Sequence, residues 1–203
     1  MQRIGRVILV IAIAALVAVN GAALVVWLSG GGQAPREVHS GEAAVGGPFD
    51  LEAVDGGRVA LSDLAGRVPV LVFGWTRDTA FSEPLLRVME EALRRLDDDR
   101  ARIAPLFITL DPERDSAADI RTFLARAGST ARGLTGTPAQ IQALIATYRL
   151  YHRRVPDPAL PGGYSIDHAA LYYVMDRSGR FAAAVPYTTD SGELAAAIAK
   201  LLR

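Results

Sequence analysis

Apolar residues follow two patterns along this chain, one typical of strands and one typical of helices. From Phe49 to Leu61, apolar and polar residues alternate on either side of Asp55-Gly56-Gly57, which predicts a β-hairpin that turns at the glycines. Val68–Phe73 and Ile103–Leu110 are nearly continuous apolar runs. Such runs are typical of strands that are covered on both faces, so we predict two buried strands here.

The helical pattern places an apolar residue at every third or fourth position. It occurs in Leu85–Leu96 and in Asp115–Ala127, and both segments are therefore predicted to be helices. Thr137–Gln140 has the form of a capping box with proline at the first helical position, which predicts a helix that continues to about Tyr148. A last amphipathic helix is predicted after Asp190.

Two more predicted strands, Ala169–Met175 and Phe181–Val185, are joined by a turn at Asp176–Gly179. The predicted order is an N-terminal hairpin, two β-α units with parallel crossovers, a helix, a second hairpin and a final helix. Buried strands mixed with amphipathic helices favour an α/β domain with three layers, in which helices cover both faces of a sheet.

The N-terminal segment has a different composition. Val7–Leu28 carries no charged residue, and at ~1.5 Å per helical residue it can cross a bilayer core of roughly 30 Å. Arg3 and Arg6 precede it, so the positive-inside rule predicts a single-pass anchor in the inner (cytoplasmic) membrane, with the C-terminal part in the periplasm or outside. A cleaved signal peptide is the alternative, although its apolar region usually spans only about 7–15 residues.

These features divide the chain into three predicted parts. Residues 1–28 are expected to form a cytoplasmic N-terminus and a transmembrane helix. Residues 29–45 are Gly-rich and polar, as in a flexible tether. Residues 46–203 are expected to form the folded domain, which the tether would hold away from the membrane.

The charge balance and the lack of cysteine exclude several functions. The chain has 22 basic and 22 acidic residues and no net charge, so there is no electrostatic support for a nucleic-acid partner. It contains no cysteine, which excludes disulfide exchange, thiol peroxidase chemistry and cysteine-ligated zinc.

The segment LVFGWTRDTAFSEP, residues 71–84, is predicted to be a buried strand that passes through a loop into a helix. Asp78 and Ser82 lie four positions apart where this helix begins. A carboxylate at a helix start accepts backbone N–H groups and complements the helix dipole, so we expect Asp78 to act as a cap. Ser82 is expected to make local hydrogen bonds, because no Gly-rich nucleophile elbow surrounds it.

Four segments of the chain resemble, in the expected order, the Sco/SenC family of membrane-anchored, thioredoxin-like proteins that bind copper and help to assemble cytochrome oxidase. Residues 71–84 resemble the family's FGFTxCPDVCP, with Asp78 and Ser82 at the two cysteine positions. LDPERD (110–115), GLTGTPAQI (133–141) and YSIDHA (164–169) resemble three later segments of the family. The resemblance covers the chain from about Gly46 onward, and it implies a thioredoxin-like fold and a copper-ligand position at His168.

In the resembling family, two cysteines and a histidine bind the copper. Copper(I) prefers sulfur donors, so the presence of Asp78 and Ser82 at the two cysteine positions should eliminate most of the affinity for copper(I). We therefore expect no resident cofactor. Two interpretations of His168 stay open. It is either a residue without a metal role, held by hydrogen bonds to Asp78 or to the backbone, or a metal ligand. As a ligand it could join Asp78 and Glu83 in a weak oxygen and nitrogen site for zinc or copper(II).

Several other side chains are expected near this position. The loop after the second buried strand is predicted to form a turn and helix-entry network there, with Asp111, Glu113, Arg114 and Asp115. Trp75 and Phe81 are expected to flank the opening of the site, where exposed aromatic side chains would form a docking surface. Core packing explains Trp75 equally well. His39 and His152 are expected to be solvated.

The sequence therefore favours a membrane-tethered Sco/SenC-like protein that is not an enzyme. Its expected role is that of an accessory protein in cytochrome oxidase assembly or copper handling. The expected partners are the membrane and a cytochrome oxidase subunit or another assembly factor. The alternative is a weak metal-binding protein that uses His168 with oxygen ligands. A thioredoxin-type enzyme is disfavoured because the cysteines are missing.

Overall fold

Nine strands form two sheets in the computed structural model of the protein, which describes residues 45–188 and 190–203. The strands are β1 (Asp50–Ala53), β2 (Arg58–Ala60), β3 (Val68–Gly74), β4 (Ile103–Thr109), β5 (Arg132–Thr135), β6 (His152–Pro156), β7 (Tyr164–His168), β8 (Leu171–Met175) and β9 (Phe181–Pro186). The larger sheet has seven strands in the order β2-β1-β5-β4-β3-β8-β9, and β6 and β7 form the smaller one.

The two apolar runs become the central strands of the larger sheet, as predicted. β3 and β4 are parallel, with Leu71 opposite Leu106, and every residue of both strands is buried. β5 continues the parallel part, while β1 and β8 add antiparallel strands on either side. β8 and β9 form the predicted C-terminal hairpin, and β1 and β2 form the predicted N-terminal one.

Four α-helices follow the predicted positions closely. They are α1 (Ser82–Arg94), α2 (Ala117–Ala127), α3 (Pro138–Thr147) and α4 (Ser191–Leu202). Thr137 and Gln140 form the predicted capping box at the start of α3. Ser116 caps α2, and Asp190 caps α4 by accepting the N–H of Gly192 at 2.7 Å. These local hydrogen bonds use backbone groups that would otherwise lack partners at the helix ends.

The core lies in two layers, one on each face of the larger sheet. On one face, alternate residues of β3 and β4 form one hydrophobic cluster with α1, α2 and α4, and this cluster includes Val72, Leu86 and Ile120. On the other face, the remaining residues of these strands pack with α3 and with Tyr148, which directly follows it and lies 5.6 Å from Phe73 between ring centroids. The domain is therefore a three-layer α/β/α structure, as the sequence predicted.

The hairpin of β6 and β7 was not predicted as a secondary-structure element, and neither was β5. Both strands of the hairpin are mostly polar, and Gly162 and Gly163 turn the chain between them with positive φ angles. Two short 3₁₀ helices, Leu61–Leu64 and Asp97–Arg102, were also missed.

The predicted anchor at residues 1–28 lies outside the described residues, and so does nearly all of the predicted tether at 29–45. Across residues 45–188 and 190–203, none of the helices is both long enough and apolar enough to cross a membrane.

Candidate functional site

Asp78 lies in the loop between β3 and α1, and its carboxylate binds the first N–H groups of the helix. Oδ1 accepts the backbone N–H of Phe81 at 3.0 Å, and Oδ2 accepts that of Ser82 at 3.1 Å. The N–H of Asp78 itself donates to the carbonyl of Trp75 at 3.1 Å, which closes a turn. The predicted capping role of Asp78 is therefore confirmed.

His168 ends β7, and its ring reaches the same carboxylate. Nε2 lies 3.2 Å from Oδ2 of Asp78, and Nδ1 lies 3.2 Å from the carbonyl oxygen of Ala169. The side chains of His168 and Asp78 are only 3 % and 11 % exposed. A backbone carbonyl and a carboxylate both accept hydrogen bonds, so a doubly protonated ring satisfies both contacts. The structure thus brings together the two residues that the sequence assigned to one site.

Two opposing effects act on the Asp78 carboxyl group. Burial alone would raise its pKa, but hydrogen bonds from His168, from the Ser82 side chain and from the Phe81 backbone outweigh this and lower the pKa. Asp78 is therefore an ionised carboxylate at neutral pH. Its negative charge strengthens the hydrogen bond with Nε2 of His168, which lies 3.2 Å away in a largely buried position.

Ser82 is fully buried at the first turn of α1. Its hydroxyl donates to Oδ2 of Asp78 at 2.9 Å, and its oxygen accepts the N–H of Trp75 at 3.4 Å. Gly74 allows this close packing, because a Cβ atom at that position would lie 2.5 Å from the Ser82 hydroxyl oxygen. The hydroxyl is thus held against β3 and bonded to a carboxylate, an arrangement unlike that of a nucleophilic serine.

Glu83 does not join this site, so the suggested oxygen and nitrogen site of Asp78, Glu83 and His168 is wrong. The Glu83 carboxylate instead binds Arg87 at 2.7 Å within α1 and Arg126 at 3.0 Å, and the second of these pairs connects α1 to α2. Within the described residues, no group of three or more His, Asp or Glu side chains is arranged to hold a metal ion.

The residues at this position do not fit copper(I). The chain supplies no thiolate, and copper(I) prefers soft sulfur donors. The Oδ2 atom of Asp78 already receives Ser82 and His168 as donors. Neither ring nitrogen of His168 is free of an oxygen partner. What the arrangement can do without a metal is connect the start of α1 to the end of β7 through hydrogen bonds.

A buried carboxylate supports the loop that carries Asp78. Asp115 accepts the backbone N–H of Thr76 at 3.0 Å and the hydroxyl of Thr76 at 2.5 Å. It also accepts the hydroxyl of Thr109, at the end of β4, at 2.7 Å. Burial raises the pKa of Asp115 and outweighs these hydrogen bonds. The predicted network around the LDPERD segment is therefore present, and it attaches the loop to β4.

The two aromatic residues predicted to flank the site differ in exposure. Phe81 is 57 % exposed, whereas Trp75 is 2 % exposed and packs in the core, so of the two interpretations left open for Trp75, core packing is the correct one. Sequence reasoning missed Tyr151, which is 53 % exposed and whose carbonyl accepts the N–H of Ala169, beside His168. Phe81 and Tyr151 are the exposed large apolar side chains of the described residues, and each is joined by a backbone hydrogen bond to Asp78 or to the residue after His168. We refer to these two side chains as the Phe81–Tyr151 surface.

His152 was expected to be solvated, but this expectation is wrong for its Nε2 atom. That atom is buried and makes no hydrogen bond with another described residue. His152 lies directly opposite His168 in the β6–β7 pair, so both side chains are on the same face of the hairpin. Burial, then the charges of Arg154 and His168, lower the pKa of His152. The Gly162-Gly163 turn was the signal in the sequence that could have revealed this pairing.

Two curated mitochondrial proteins illustrate what the chain is similar to. It is 28% identical over 165 residues to protein SCO1 homolog 1 of Arabidopsis thaliana, and the aligned residues cover 81% of this chain and 49% of that protein. It is 29% identical over 170 residues to the SCO1 homolog of Homo sapiens, which covers 83% of this chain and 56% of that protein. The chain thus spans about half the length of these curated relatives.

Solved structures agree over nearly their whole length. Bradyrhizobium japonicum ScoI, solved with copper bound, is 35% identical, with a TM-score of 0.70 over 78% of this chain and 99% of that one. Arabidopsis thaliana ScoI, also with copper bound, is 28% identical, with a TM-score of 0.71 over 79% of this chain and 99% of that one. These structures support the predicted thioredoxin-like α/β fold.

The SCO1/SenC family profile matches residues 37–203, which includes every described element and the Asp78, Ser82 and His168 positions. The chain therefore belongs to the SCO1/SenC family, as a divergent member without cysteine.

Proposed function

We propose that the protein is an accessory factor in cytochrome oxidase assembly or copper handling that acts without a thiol copper site and without catalysing a reaction. Membership of the SCO1/SenC family supports the role in oxidase assembly or copper handling. Relatives such as Bradyrhizobium japonicum ScoI, whose structure contains copper, support it as well. The expected partner is a cytochrome oxidase subunit or another assembly factor.

One observation carries the metal-free part of the proposal. The Asp78 carboxylate, at a cysteine position of the resembling family, is occupied by donors from Phe81, Ser82 and His168. A ligand must be free to approach a metal, and breaking these bonds would leave buried polar groups without partners. The hydrogen bonds therefore stabilise a closed site in which Asp78 and His168 partner each other rather than an ion.

The Phe81–Tyr151 surface supplies a place for a protein partner. Exposed aromatic side chains are enriched at the centres of protein interfaces, where they bury much apolar area at low entropic cost. Phe81 adjoins Asp78 through its backbone, and Tyr151 adjoins His168 through Ala169. In this proposal the closed pair fixes the position of both aromatic residues, and the partner recognises that fixed surface.

We also propose that the protein is held at the inner membrane, with its domain in the periplasm or outside. The uncharged segment Val7–Leu28 and the preceding Arg3 and Arg6 support this arrangement. Such a location would place the domain on the side of the membrane from which a membrane-bound oxidase subunit can be reached.

Deletion of the gene, followed by measurement of assembled cytochrome oxidase in membranes, tests the proposal. We expect loss of assembled oxidase, restoration by the wild-type chain, and no restoration by Phe81→Ala. Arg94→Ala is the matched control, because Arg94 is 72 % exposed at the opposite end of the same helix. Unchanged oxidase content in the deletion strain would contradict the assembly role, and full restoration by Phe81→Ala would contradict the surface.

A weak metal-binding role is the second candidate, and the neighbouring imidazoles favour it. His152 lies opposite His168, and its Nε2 atom has no hydrogen-bond partner among the described residues. A borderline cation such as Zn²⁺ or Cu²⁺ accepts imidazole and carboxylate ligands. Calorimetric titration of the full chain with Zn²⁺ and Cu²⁺ distinguishes the candidates: stoichiometric binding that His168→Ala removes would favour the metal-binding role.

A further inference from the structure

The hairpin that carries His168 depends on side-chain contacts for its position. Within residues 45–188 and 190–203, β6 and β7 pair only with each other, and an isolated two-stranded hairpin is marginally stable in water. Tyr164, Ile166 and His168 alternate along β7 and therefore share one face of the strand. Ile166 is 4% exposed and the His168 side chain is 3 % exposed, so this face packs against the domain.

Arg114 contacts the opposite end of the same face. The central carbon of its guanidinium group lies 3.6 Å from the centroid of the Tyr164 ring and 5.0 Å from that of the Trp75 ring. Its Nη1 atom donates to the carbonyl oxygens of Pro161 at 2.5 Å and of Tyr164 at 2.8 Å. The Arg114 side chain is only 11 % exposed, and in such partly desolvated positions cation–π contacts are strongest.

Asp111 and Arg154 complete this connection. Asp111 is fully buried, pairs with Nε of Arg114, and accepts the Tyr164 hydroxyl at 2.9 Å. Arg154, on β6, lies 4.6 Å from the centroid of the Tyr164 ring and pairs with Glu113. Aromatic and guanidinium groups thus alternate in a series that joins the core to both strands of the hairpin: Trp75, Arg114, Tyr164 and Arg154.

We propose that Arg114 is a positioning residue that fixes β7 so that His168 meets Asp78. Its contacts go to Asp111, Trp75, Pro161 and Tyr164, and they include neither member of the pair. A planar group that stacks on a ring while Nε pairs with Asp111 and Nη1 donates to two carbonyls is specific to arginine, so lysine cannot replace it. The consequence for partner recognition rests on the proposed function, whereas the positioning itself does not.

Arg114→Lys in the full chain, purified in detergent, tests this role by nuclear magnetic resonance. The first readout is the Nε2–H signal of the His168 ring, which reports the contact with Asp78. The second is hydrogen exchange of the β7 amides. We expect the ring signal to shift or to disappear through exchange with water, and the β7 amides to exchange about tenfold faster or more, because the hairpin loses its anchor.

Arg126→Lys is the matched control. Arg126 also stacks on an aromatic ring, 5.5 Å from the centroid of Phe123, and pairs with Glu83 at 3.0 Å, but it connects α1 to α2. This variant should leave the His168 signal and the β7 exchange rates unchanged. Equal changes in both variants would indicate general loosening of the domain and would overturn the proposal.

A folded Arg114→Lys variant with unchanged His168 and β7 signals would also overturn it. If this variant does not fold, Tyr164→Leu provides the second test, because it removes the ring between the two arginines and leaves the Arg114 pair with Asp111. The same changes are expected, and unchanged His168 signals would again reject the role. No partner protein enters these measurements, so their outcome is independent of the assembly role.

Discussion

The Nε2 atom of His168 lies 3.2 Å from Oδ2 of Asp78, although 90 positions separate the two residues in the chain. The same oxygen accepts the N–H and the hydroxyl of Ser82, so it receives three donors. This shared oxygen joins the start of α1 to the end of β7. It does so with atoms of the protein alone.

Asp78→Asn should remove an acid-sensitive part of the stability. Burial raises the pKa of Asp78, but hydrogen bonds from His168 and Ser82 lower it below the ordinary value of 3.8. A lowered folded pKa adds stability above the unfolded value, and this stability is lost as the pH falls through the folded value. We expect Asp78→Asn to lower the free energy of unfolding by about 1–3 kcal/mol near pH 7, and this difference from wild type should shrink below about pH 4.

Urea unfolding of both proteins near neutral pH and in acid measures this difference. The comparison uses the difference between the two proteins because Asp115 also titrates in acid. Burial raises the pKa of Asp115, so its contribution to stability changes with pH in the direction opposite to that of Asp78, and it does so in both proteins. Asp50→Asn is the control: Asp50 is an exposed partner of Arg58, and such surface pairs contribute about 0–1 kcal/mol. A difference for Asp78→Asn that stays constant with pH, or grows in acid, would contradict the prediction.

Two cysteines should convert the site into a copper(I) site. The wild-type chain is expected to lose copper(I) to a chelator of ordinary strength, since it has no sulfur ligand at this position. Asp78→Cys with Ser82→Cys places two sulfur atoms at the start of α1, near His168. This double variant should retain copper(I) in chelator competition. Loss of the Asp78 cap should cost about 0.5–2 kcal/mol of stability.

Adding His168→Ala to the double variant is the control for geometry, and it should weaken copper(I) binding. The single variant Asp78→Cys should bind less tightly than the double variant, because it supplies one sulfur. A folded double variant with no gain in copper affinity would mean that the loop no longer has the ligand geometry of copper-binding relatives. Copper retained by the wild-type chain would show that its oxygen and nitrogen atoms bind better than we infer.

Gly74→Ala should destabilise the protein, because the added methyl group would crowd the side chains of Ser82 and Phe107. A Cβ atom at Gly74 would lie 2.5 Å from the Ser82 hydroxyl and 3.1 Å from Phe107. Overpacking of this kind typically costs about 1–3 kcal/mol. Because the closest contact is with the hydroxyl, Ser82→Ala should recover part of the loss in the double variant. A double-mutant cycle from thermal or urea unfolding measures this coupling, and additive effects would contradict the predicted contact.

A reporter fused after Arg203 tests the membrane orientation. The charges of Arg3 and Arg6 before an uncharged segment predict that the C-terminus is outside the cytoplasm. A reporter that is active only after export should therefore be active, and one that is active only in the cytoplasm should be silent. Changing Arg3 and Arg6 to glutamate should reduce export of the same fusion. Cytoplasmic activity of the wild-type fusion would contradict the orientation.

Local patterns in the sequence were sufficient to predict most of the fold. The apolar runs of β3 and β4 and the capping box at Thr137 depend on interactions between near neighbours, so the sequence shows them directly. The β6–β7 hairpin was missed because its residues are mostly polar and its stability comes from distant partners such as Arg114. A partner so far away in the chain produces no periodic pattern of apolar and polar residues in the sequence.

The candidate site could be predicted only from the resemblance of the sequence to the SCO1/SenC family. Asp78 could be assigned as a helix cap from its position, but its contact with His168 depends on the fold of the whole domain. Trp75 was ambiguous because an aromatic residue after a strand can pack inward or outward, and the structure places it inward. Glu83 was misassigned because its arginine partner on α2 is 43 positions away.

The hydrogen-bonded connection between Asp78, Ser82 and His168 has a consequence for chemical durability. Cysteine sulfur is oxidised by peroxide to sulfenic and higher acids, whereas carboxylate and hydroxyl groups do not take part in this chemistry. The hydrogen bonds that close this site involve no thiol, so we expect them to be the same in reducing and in oxidising surroundings. The connection between α1 and β7 is then independent of the thiol–disulfide balance around the protein.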